Sequence, residues 1–425
     1  MSYPILILLI LNQQLPQKRL PQFKFPIQLM PQKTKNTGIK IIALLIAVSF
    51  LYSSKTYSQT DSCHVRISLL TCTPGEELYS TFGHSALRVT DTVNNTDIVY
   101  NYGTFNFDEP GFYTKFIRGK LMYYLSTEDF LSFQYSYQME RRGITEQVLN
   151  LTCSEKNNIL NMLQGNMMSE NRFYKYDFLF DNCTTRLRDL VEKAANGQVD
   201  FGEVLKTKAT FRDLIYEYLN YNDKQWSKLG IDILLGSKTD AVMKPREVMF
   251  LPDYLMKTFD SSTIDSQPLV AEKNSLLRVD YSRIGKDNLT HPFFIFLCLF
   301  VLIAFLSFSK NRGIQRFLSG FDAFLFFISG LLGLLLLFMW FGTDHVMCKN
   351  NYNLLWAWPT NVVVAFFIHS KKRWPKIYFT IYAVFNLVLL GLWFFLPQHM
   401  NPALIPIILI LILRSFIYIS KKEKI

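Results

Sequence analysis

The sequence predicts an α+β domain followed by an all-α membrane domain with five spans. Three observations support this prediction. Between about residues 60 and 290, alternating apolar runs mix with stretches of helical periodicity, as in an ordinary globular domain. From about residue 293 onward the chain is nearly continuously apolar, with basic breaks between the runs. A basic segment and a short apolar run stand before the globular part, which is the pattern of an export signal.

The export signal consists of three lysines between residues 33 and 40, an apolar run at 41–52 and polar residues up to a cleavage point near Ser58. The apolar run is too short for a transmembrane helix. We therefore predict three regions: a prefix and signal peptide at 1–58, an extracytoplasmic catalytic domain at 59–290 and a transmembrane domain at 291–425.

The net charge of +11 indicates membrane topology rather than nucleic-acid binding, because much of the basic excess lies beside apolar spans. With the globular domain outside the cytoplasm, five spans would place three basic segments on the cytoplasmic side, as the positive-inside rule requires. These segments are 310–316, 371–376 and 421–424. The predicted spans are 292–308, 321–341, 354–368, 377–396 and 403–419. We expect an integral membrane protein with no nucleic-acid partner.

Export permits disulfides in the globular domain, which contains Cys63, Cys72, Cys153 and Cys183. Cys63 and Cys72 flank an alternating segment that predicts a strand. Nine residue steps of strand would separate their α-carbons by about 30 Å, whereas a disulfide needs less than about 7 Å. These two cysteines are therefore not expected to pair.

A histidine begins the next predicted strand, at 84–89. Gly83, directly before it, allows unusual backbone dihedral angles or a close approach by another group. A polar loop at 91–97 leads to a returning strand at 98–103, which contains Asn101. A histidine at a strand start is more often structural, but the paired Asn101 and a downstream cysteine favour a functional interpretation of His84.

The cysteine lies where an aromatic run at 176–180 gives way to a helix. Asp181 and Asn182 are both favourable N-cap residues, and apolar residues then recur at helical spacing until Gly197. Cys183 is thus in the first helical turn, where free N–H groups and the helix dipole favour a thiolate. The competing interpretation is a small, buried core thiol.

Thiol catalysis requires a nucleophile, a base and a polar group that orients the base. We assign these roles to Cys183, His84 and Asn101, with Asp177 as a competing orienting residue. No Cys/His spacing for structural zinc, P-loop or G-x-S-x-G elbow is found in the sequence. We therefore expect no metal and no cofactor.

Further elements are predicted along the same domain. Residues 121–125 predict a strand, and Thr127 is expected to cap a short helix directly after it. Residues 144–151 alternate as a strand and precede a helix that runs to about Met167. In the membrane half, Asn361 lies inside the third span, where polar side chains favour protein-facing positions. It suggests a lipid-binding outer rim, although helix packing is the competing interpretation.

The order of the candidate residues, histidine on a strand before cysteine on a helix, is the reverse of that in papain-like enzymes. It resembles the circularly permuted branch of the NlpC/P60 superfamily, which includes lecithin:retinol acyltransferase-like enzymes. The resemblance implies a permuted papain-like fold for the extracytoplasmic domain. It also implies a strand histidine, a polar residue on the next strand and an Asn-Cys pair at a helix start, here His84, Asn101 and Asn182-Cys183.

A closer resemblance covers nearly the whole mature chain. The segments FGHSALRV at 82–89, YNYGTF at 100–105 and FDNCTTR at 180–186, followed by membrane spans, are similar to the Lnb-type lipoprotein N-acyltransferases. That family implies a bacterial inner-membrane protein with a periplasmic catalytic domain, a phospholipid acyl donor and a lipoprotein acceptor. We take Asn182 and Arg186 of the third motif, with Asn361, as candidate substrate-binding residues.

The expected reaction is transfer of a fatty acyl chain from a membrane phospholipid, through a Cys183 thioester, to the α-amino group of a diacylglyceryl-cysteine lipoprotein. Two other functions remain open at this stage. The same Cys-His site could serve a cell-wall amidase or peptidase, or the chain could be a membrane-tethered sensory or binding module with a degenerate site.

Overall fold

A computed structural model describes residues 64–205, 208–221, 223–278 and 291–420. The predicted prefix and signal peptide, Cys63 and the basic tail at 421–425 lie outside these residues. Both predicted domain boundaries also fall there, so the division at 58/59 and 290/291 stays a prediction.

A seven-stranded sheet forms the centre of the N-terminal globular part, with the order β10-β5-β1-β2-β3-β4-β6 and antiparallel pairing throughout. A three-stranded sheet, β7-β8-β9, lies apart from it. The strands are β1 (Val65–Cys72), β2 (His84–Asp91), β3 (Thr96–Thr104), β4 (Met122–Asp129), β5 (Ile144–Leu149), β6 (Phe173–Lys175), β7 (Val199–Asp200), β8 (Thr263–Ile264), β9 (Gln267–Pro268) and β10 (Val270–Leu277).

Helices cover both faces of the large sheet because its central strands alternate apolar residues on both sides. Ile67 and Leu87 share one core with Leu187, whereas Leu70 shares a second core with Phe130. Each fully buried side chain of this kind contributes about 1.5–3 kcal/mol. The helices of this part are α1 (Phe112–Ile117), α2 (Phe130–Met139), α3 (Cys153–Met167), α4 (Cys183–Ala194), α5 (Phe211–Tyr221), α6 (Gln225–Leu234) and α7 (Pro252–Ser261).

The α+β class and the strands that begin at Val65 and His84 are confirmed. The prediction that Thr127 caps a helix is wrong. Strand β4 continues to Asp129, and Thr127 pairs with Tyr100 of β3. Asp129 is the actual N-cap of α2 and accepts a hydrogen bond from the Ser132 N–H at 3.0 Å.

The membrane part contains two helices that are long and apolar enough to cross a bilayer, α9 and α11, and two shorter apolar helices, α8 and α12. Its α-helices are α8 (Pro292–Ser307), α9 (Arg312–Phe341), α10 (Asn361–Val364), α11 (Arg373–Gly391) and α12 (Leu404–Ser420).

The third predicted span, 354–368, is not one continuous helix. This region is divided into a 3₁₀ turn at Tyr352–Leu355, the short α10 and a second 3₁₀ turn at Ala365–Phe367. Pro359 supplies no backbone N–H for a continuous helix. The broken backbone packs closely on α9, since a Cβ on Gly333 would lie 2.1 Å from the Ala357 carbonyl oxygen. Non-helical backbone at membrane depth requires such protein cover.

Both outer connections of the membrane part contact α6 and the residues that follow it. The Asn401 side chain donates to the Asp232 carboxylate at 2.8 Å, and Gln398 donates to the Leu235 carbonyl at 2.9 Å. Asn353, from the connection after α9, donates to the Asp232 carbonyl at 3.0 Å. These buried contacts hold the two loops against the N-terminal globular domain.

Candidate active site

The first residue of β2 is His84, and its position depends on the glycine before it. Cys72, the last residue of β1, pairs with His84 across the sheet. Gly83 has a φ of +80°, and a Cβ there would lie 2.7 Å from the Cys72 carbonyl oxygen. Because L-residues rarely adopt this conformation, a glycine is needed for the sharp approach to the strand.

Cys183 is the first residue of α4, and Asn182 is the N-cap. The Asn182 side chain accepts hydrogen bonds from the N–H groups of Thr184 and Thr185, both at 2.9 Å. Its amide nitrogen donates to the carbonyls of Phe178 and Phe250. These four bonds fix the start of α4, where the first N–H groups have no intrahelical acceptor.

The three candidate catalytic side chains lie together, and Glu128 extends the group. Cys183 and His84 line the same cavity and interact electrostatically, and His84 Nε2 lies 3.2 Å from Asn101 Oδ1. Asn101 in turn donates through Nδ2 to the Glu128 carboxylate at 2.8 Å. Since a carboxylate only accepts, Asn101 must present its oxygen to His84. The network therefore assigns the proton to Nε2 and leaves Nδ1 to accept the proton of the thiol.

The environment of Cys183 favours the thiolate. Burial raises the pKa of this thiol, but the charge of His84 and its hydrogen bond, together with the Ser85 N–H and Thr184, lower it to about 7. Burial disfavours the His84 imidazolium, yet the neighbouring Cys183 thiolate raises the pKa of His84. The two shifts have the same cause, which is mutual stabilisation of a thiolate–imidazolium pair.

Two other buried thiols lack such stabilisation. Burial raises the pKa of Cys72 to about 12, and it raises that of Cys348 to about 12 as well. Thiolate character decides the reactivity of a cysteine. Among the buried free cysteines of the described chain, Cys183 is therefore the one whose surroundings suit a nucleophile.

A cavity of about 450 Å³ opens at Cys183 and His84. Its lining is mostly apolar and aromatic, and both parts of the chain contribute to it. The catalytic domain supplies Phe105, Phe116, Tyr123, Leu235 and Phe250 among others, and the membrane part supplies Met339, Val346, Met347 and Cys348.

Hydrogen bonds and an ion pair join the membrane part to the N-terminal domain beside this cavity. The Asp344 N–H donates to the Arg118 carbonyl at 2.9 Å, and His345 Nε2 lies 3.1 Å from the Phe116 carbonyl oxygen. Lys175 forms an ion pair with the Asp344 carboxylate at 2.9 Å. The loop between the predicted spans 321–341 and 354–368, which five spans would place on the outer side, thus forms one wall of the cavity.

The structure brings Cys183, His84 and Asn101 together, and it gives several other predicted residues different contacts from those expected. Asp177 does not orient His84, because its carboxylate accepts the N–H groups of Leu179 and Phe180. Asn182 lines the cavity, but its side chain is occupied in capping α4. We therefore replace its predicted substrate-binding role with a positioning role.

Arg186 and Asn361 are absent from the cavity lining. Arg186 forms an ion pair with Asp181 at 2.6 Å, and its guanidinium lies 3.4 Å above the centre of the Tyr174 ring. Asn361 is buried between helices, where it donates to Ser329 at 3.0 Å and accepts from Tyr378 at 2.7 Å. The contacts of both residues indicate packing, so neither retains its predicted substrate-binding role.

Glu128 was missed because residues 127–130 were interpreted as a helix start. The pairing of β3 with β4 brings Glu128 next to Asn101, and the polar run at 126–129 has no apolar alternation that would have indicated it. Cys153 is in a disulfide, and Cys72 is a free thiol, in agreement with the prediction that it does not pair with Cys63.

Comparison with protein families gives two matches. The model for the Lnb N-terminal periplasmic domain matches residues 52–217, and that for the Lnb transmembrane domain matches residues 284–424. Together they cover more than two thirds of the chain. No curated protein and no solved structure matches it.

Proposed function

We propose that this chain, which belongs to the Lnb family of lipoprotein N-acyltransferases, transfers a phospholipid acyl chain to the α-amino group of a diacylglyceryl-cysteine lipoprotein through a thioester on Cys183. The protein is an inner-membrane protein with a periplasmic domain. The observation that carries the proposal is the Cys183–His84–Asn101 chain, which opens into a cavity with a wall from the membrane part.

In the first half-reaction, His84 Nδ1 takes the thiol proton and the Cys183 sulfur attacks the ester carbonyl carbon of the donor. The oxyanion that forms lies near the start of α4, where the N–H groups without intrahelical acceptors and the helix dipole stabilise negative charge. When the ester C–O bond breaks, the departing glycerol oxygen takes the proton from His84. The products are an acyl-thioester and a lysophospholipid.

In the second half-reaction, the neutral α-amino group of the acceptor attacks the thioester carbonyl. His84 accepts a proton from the attacking nitrogen, and the C–S bond breaks as the amide forms. The proton on His84 then re-forms the ion pair with the Cys183 thiolate. Asn101 holds the Nε2–H tautomer through both halves, so that Nδ1 faces the reacting atoms each time.

The lining of the cavity favours a lipid substrate over a cell-wall peptide. A peptide groove needs donors and acceptors for the backbone groups of its ligand, whereas this lining is mostly apolar. An acyl chain needs apolar surface, and the contribution of Met339 and Met347 places that surface next to the membrane part. A sensory module would have no need of a cysteine with a pKa of about 7 beside a histidine.

The proposal is tested with full-length protein, a phospholipid donor and a diacylglyceryl-cysteine peptide acceptor, by measuring the N-acylated peptide. Cys183→Ala, His84→Ala and the double variant should all lose the reaction to a similar extent, because residues that act as one unit are not additive. Cys72→Ala, which removes a neighbouring buried thiol outside the cavity, should retain most of the activity. Near-normal turnover by Cys183→Ala would rule out the covalent route.

A further inference from the structure

The cavity lining includes a polar region beside His84 that the mechanism above does not use. Its residues are Arg142, Glu140 and Tyr79. A hydrogen bond to the residue that follows β1 holds Arg142 in this region. Its Nε donates to the Thr73 carbonyl at 2.8 Å, one residue beyond Cys72, which pairs with His84.

Arg142 is a buried cation with an unused donor. Its exposed fraction is 6%, and Nη1 donates to the Glu140 carboxylate at 2.8 Å. The guanidinium carbon lies 4.5 Å above the centre of the Tyr137 ring. Nη2 is buried and has no hydrogen-bond partner among the described residues. A buried donor without an acceptor is rare and calls for a physical explanation.

Another buried arginine shows how such a group is normally satisfied. Arg212, with an exposed fraction of 1%, directs Nε to Asp240 and Nη1 to Asp232. Its Nη2 donates to Thr239 at 2.7 Å. Arg142 differs in leaving Nη2 without an acceptor, and it does so in the wall of the catalytic cavity. The missing acceptor is therefore best supplied by a bound ligand.

We propose that Nη2 of Arg142 binds the phosphate group of the phospholipid donor. The inference rests on the proposed function, since it concerns the first substrate of the same site. When the donor ester lies at Cys183, its acyl chain occupies the apolar lining and its phosphate lies only a short glycerol backbone away. Guanidinium groups bind phosphate oxygens through charge-assisted hydrogen bonds.

Glu140 determines which headgroup such a site prefers. Its carboxylate already accepts a hydrogen bond from Nη1 of Arg142, and the Glu140 side chain is 49% exposed. This carboxylate attracts a cationic amine, whereas it gains no charge interaction with an uncharged glycerol. The site therefore prefers a phosphoethanolamine headgroup, which has both charges, over phosphoglycerol.

The test compares two acyl donors that differ in the phosphate group. One is dipalmitoyl phosphatidylethanolamine in detergent micelles, and the other is the phosphate-free ester p-nitrophenyl palmitate. The measured quantity is the rate of Cys183 acylation by each donor, without acceptor. Arg142→Gln is the variant, and Arg172→Gln is the matched control. Arg172 makes the same two types of contact, from Nε to the Leu125 carbonyl at 2.8 Å and 4.9 Å above the Tyr124 ring, but is absent from the cavity lining.

We expect Arg142→Gln to lower the acylation rate with phosphatidylethanolamine about 10- to 100-fold, as for loss of one hydrogen bond to a charged group. The rate with p-nitrophenyl palmitate should stay within about twofold of wild type, which a folding defect would not allow. Arg142→Lys should fall between the two, because it keeps the charge without the planar donors. Arg172→Gln should change neither rate.

Three outcomes would overturn the inference. Equal losses with both donors would make Arg142 a structural residue. Unchanged rates with both would show that Nη2 does not contact the donor. If wild-type Cys183 accepts a palmitoyl group from neither donor, the thioester route itself fails and the Arg142 assignment fails with it.

A second experiment tests the headgroup preference. Glu140→Gln should reduce the preference for phosphatidylethanolamine over phosphatidylglycerol as acyl donor, and an unchanged preference would contradict the role given to Glu140.

Discussion

Replacing His84 with alanine should change the acidity of Cys183 by a predictable amount. Burial raises the pKa of the thiol above the ordinary 9.0, and the charge and hydrogen bond of His84 are the largest opposing influences that bring it to about 7. Without the imidazole, only the weaker hydrogen bonds from Ser85 and Thr184 oppose burial. We expect the pKa in His84→Ala to rise to about 9 or above, which corresponds to about 2.7 kcal/mol of lost preference for the thiolate.

The assay is alkylation of full-length protein by iodoacetamide across a pH series, with the Cys183 peptide quantified by mass spectrometry. The midpoint of the pH profile is the better readout, because a less acidic thiolate is intrinsically more nucleophilic and partly offsets the fall in rate. In wild type, the rate should rise as the pH increases through about 7, where the thiol loses its proton. Cys72 and Cys348 should remain unmodified there, since the pKa of each is about 12.

A matched control is His64→Ala. His64 Nε2 lies 3.3 Å from the Asp91 carboxylate and is absent from the cavity lining, so its loss should leave the Cys183 midpoint unchanged. A midpoint that stays near 7 in His84→Ala would refute the assignment of His84 as the partner of the thiol. A similar rise in both variants would point to a general effect of substitution rather than to the ion pair.

Three further predictions follow from the same geometry. Asn101→Ala should lower the steady-state rate by at most about 10²-fold, less than His84→Ala does, because Asn101 orients the base but does not move the proton. A loss equal to that of His84→Ala would give Asn101 a direct role. Gly83→Ala should lower the free energy of unfolding by at least about 1–2 kcal/mol because of its positive φ, whereas Gly165→Ala, in open space on α3, should not; equal effects would contradict the strain argument. Reporter fusions after residues 315 and 372 should report the cytoplasm and one near residue 347 the periplasm; a periplasmic signal at 372 would contradict five spans.

The parts of the site that could be predicted from the sequence are those with local signals. Gly83 before an alternating run located His84, and an Asn-Cys pair before helical periodicity located Cys183. The hairpin between β2 and β3 is short, so that its register brought Asn101 close to His84. In each case the determining contacts span few residues, and propensity and alternation are sufficient to indicate them.

The parts that could not be predicted depend on contacts between distant segments. Arg142 is 58 residues from His84 in sequence, and only the pairing of β1 with both β2 and β5 brings them to one cavity. The break in the helix of the third span was missed for a similar reason, because hydropathy takes no account of side chains such as Asn353, just before that span, that bond to the N-terminal domain. Arg186 and Asn361 have polar side chains that sequence alone could not distinguish from ligand-binding groups.

The central claim, a thioester on Cys183, can be measured directly. Full-length protein is incubated with phosphatidylethanolamine that contains palmitoyl chains only, without acceptor, and the intact mass and the Cys183 peptide are recorded before and after neutral hydroxylamine, which cleaves thioesters. The account predicts one palmitoyl group on Cys183 that hydroxylamine removes and that a diacylglyceryl-cysteine peptide discharges as the N-palmitoylated product. N-acylated product formed at the normal rate while Cys183 carries no acyl group would contradict it.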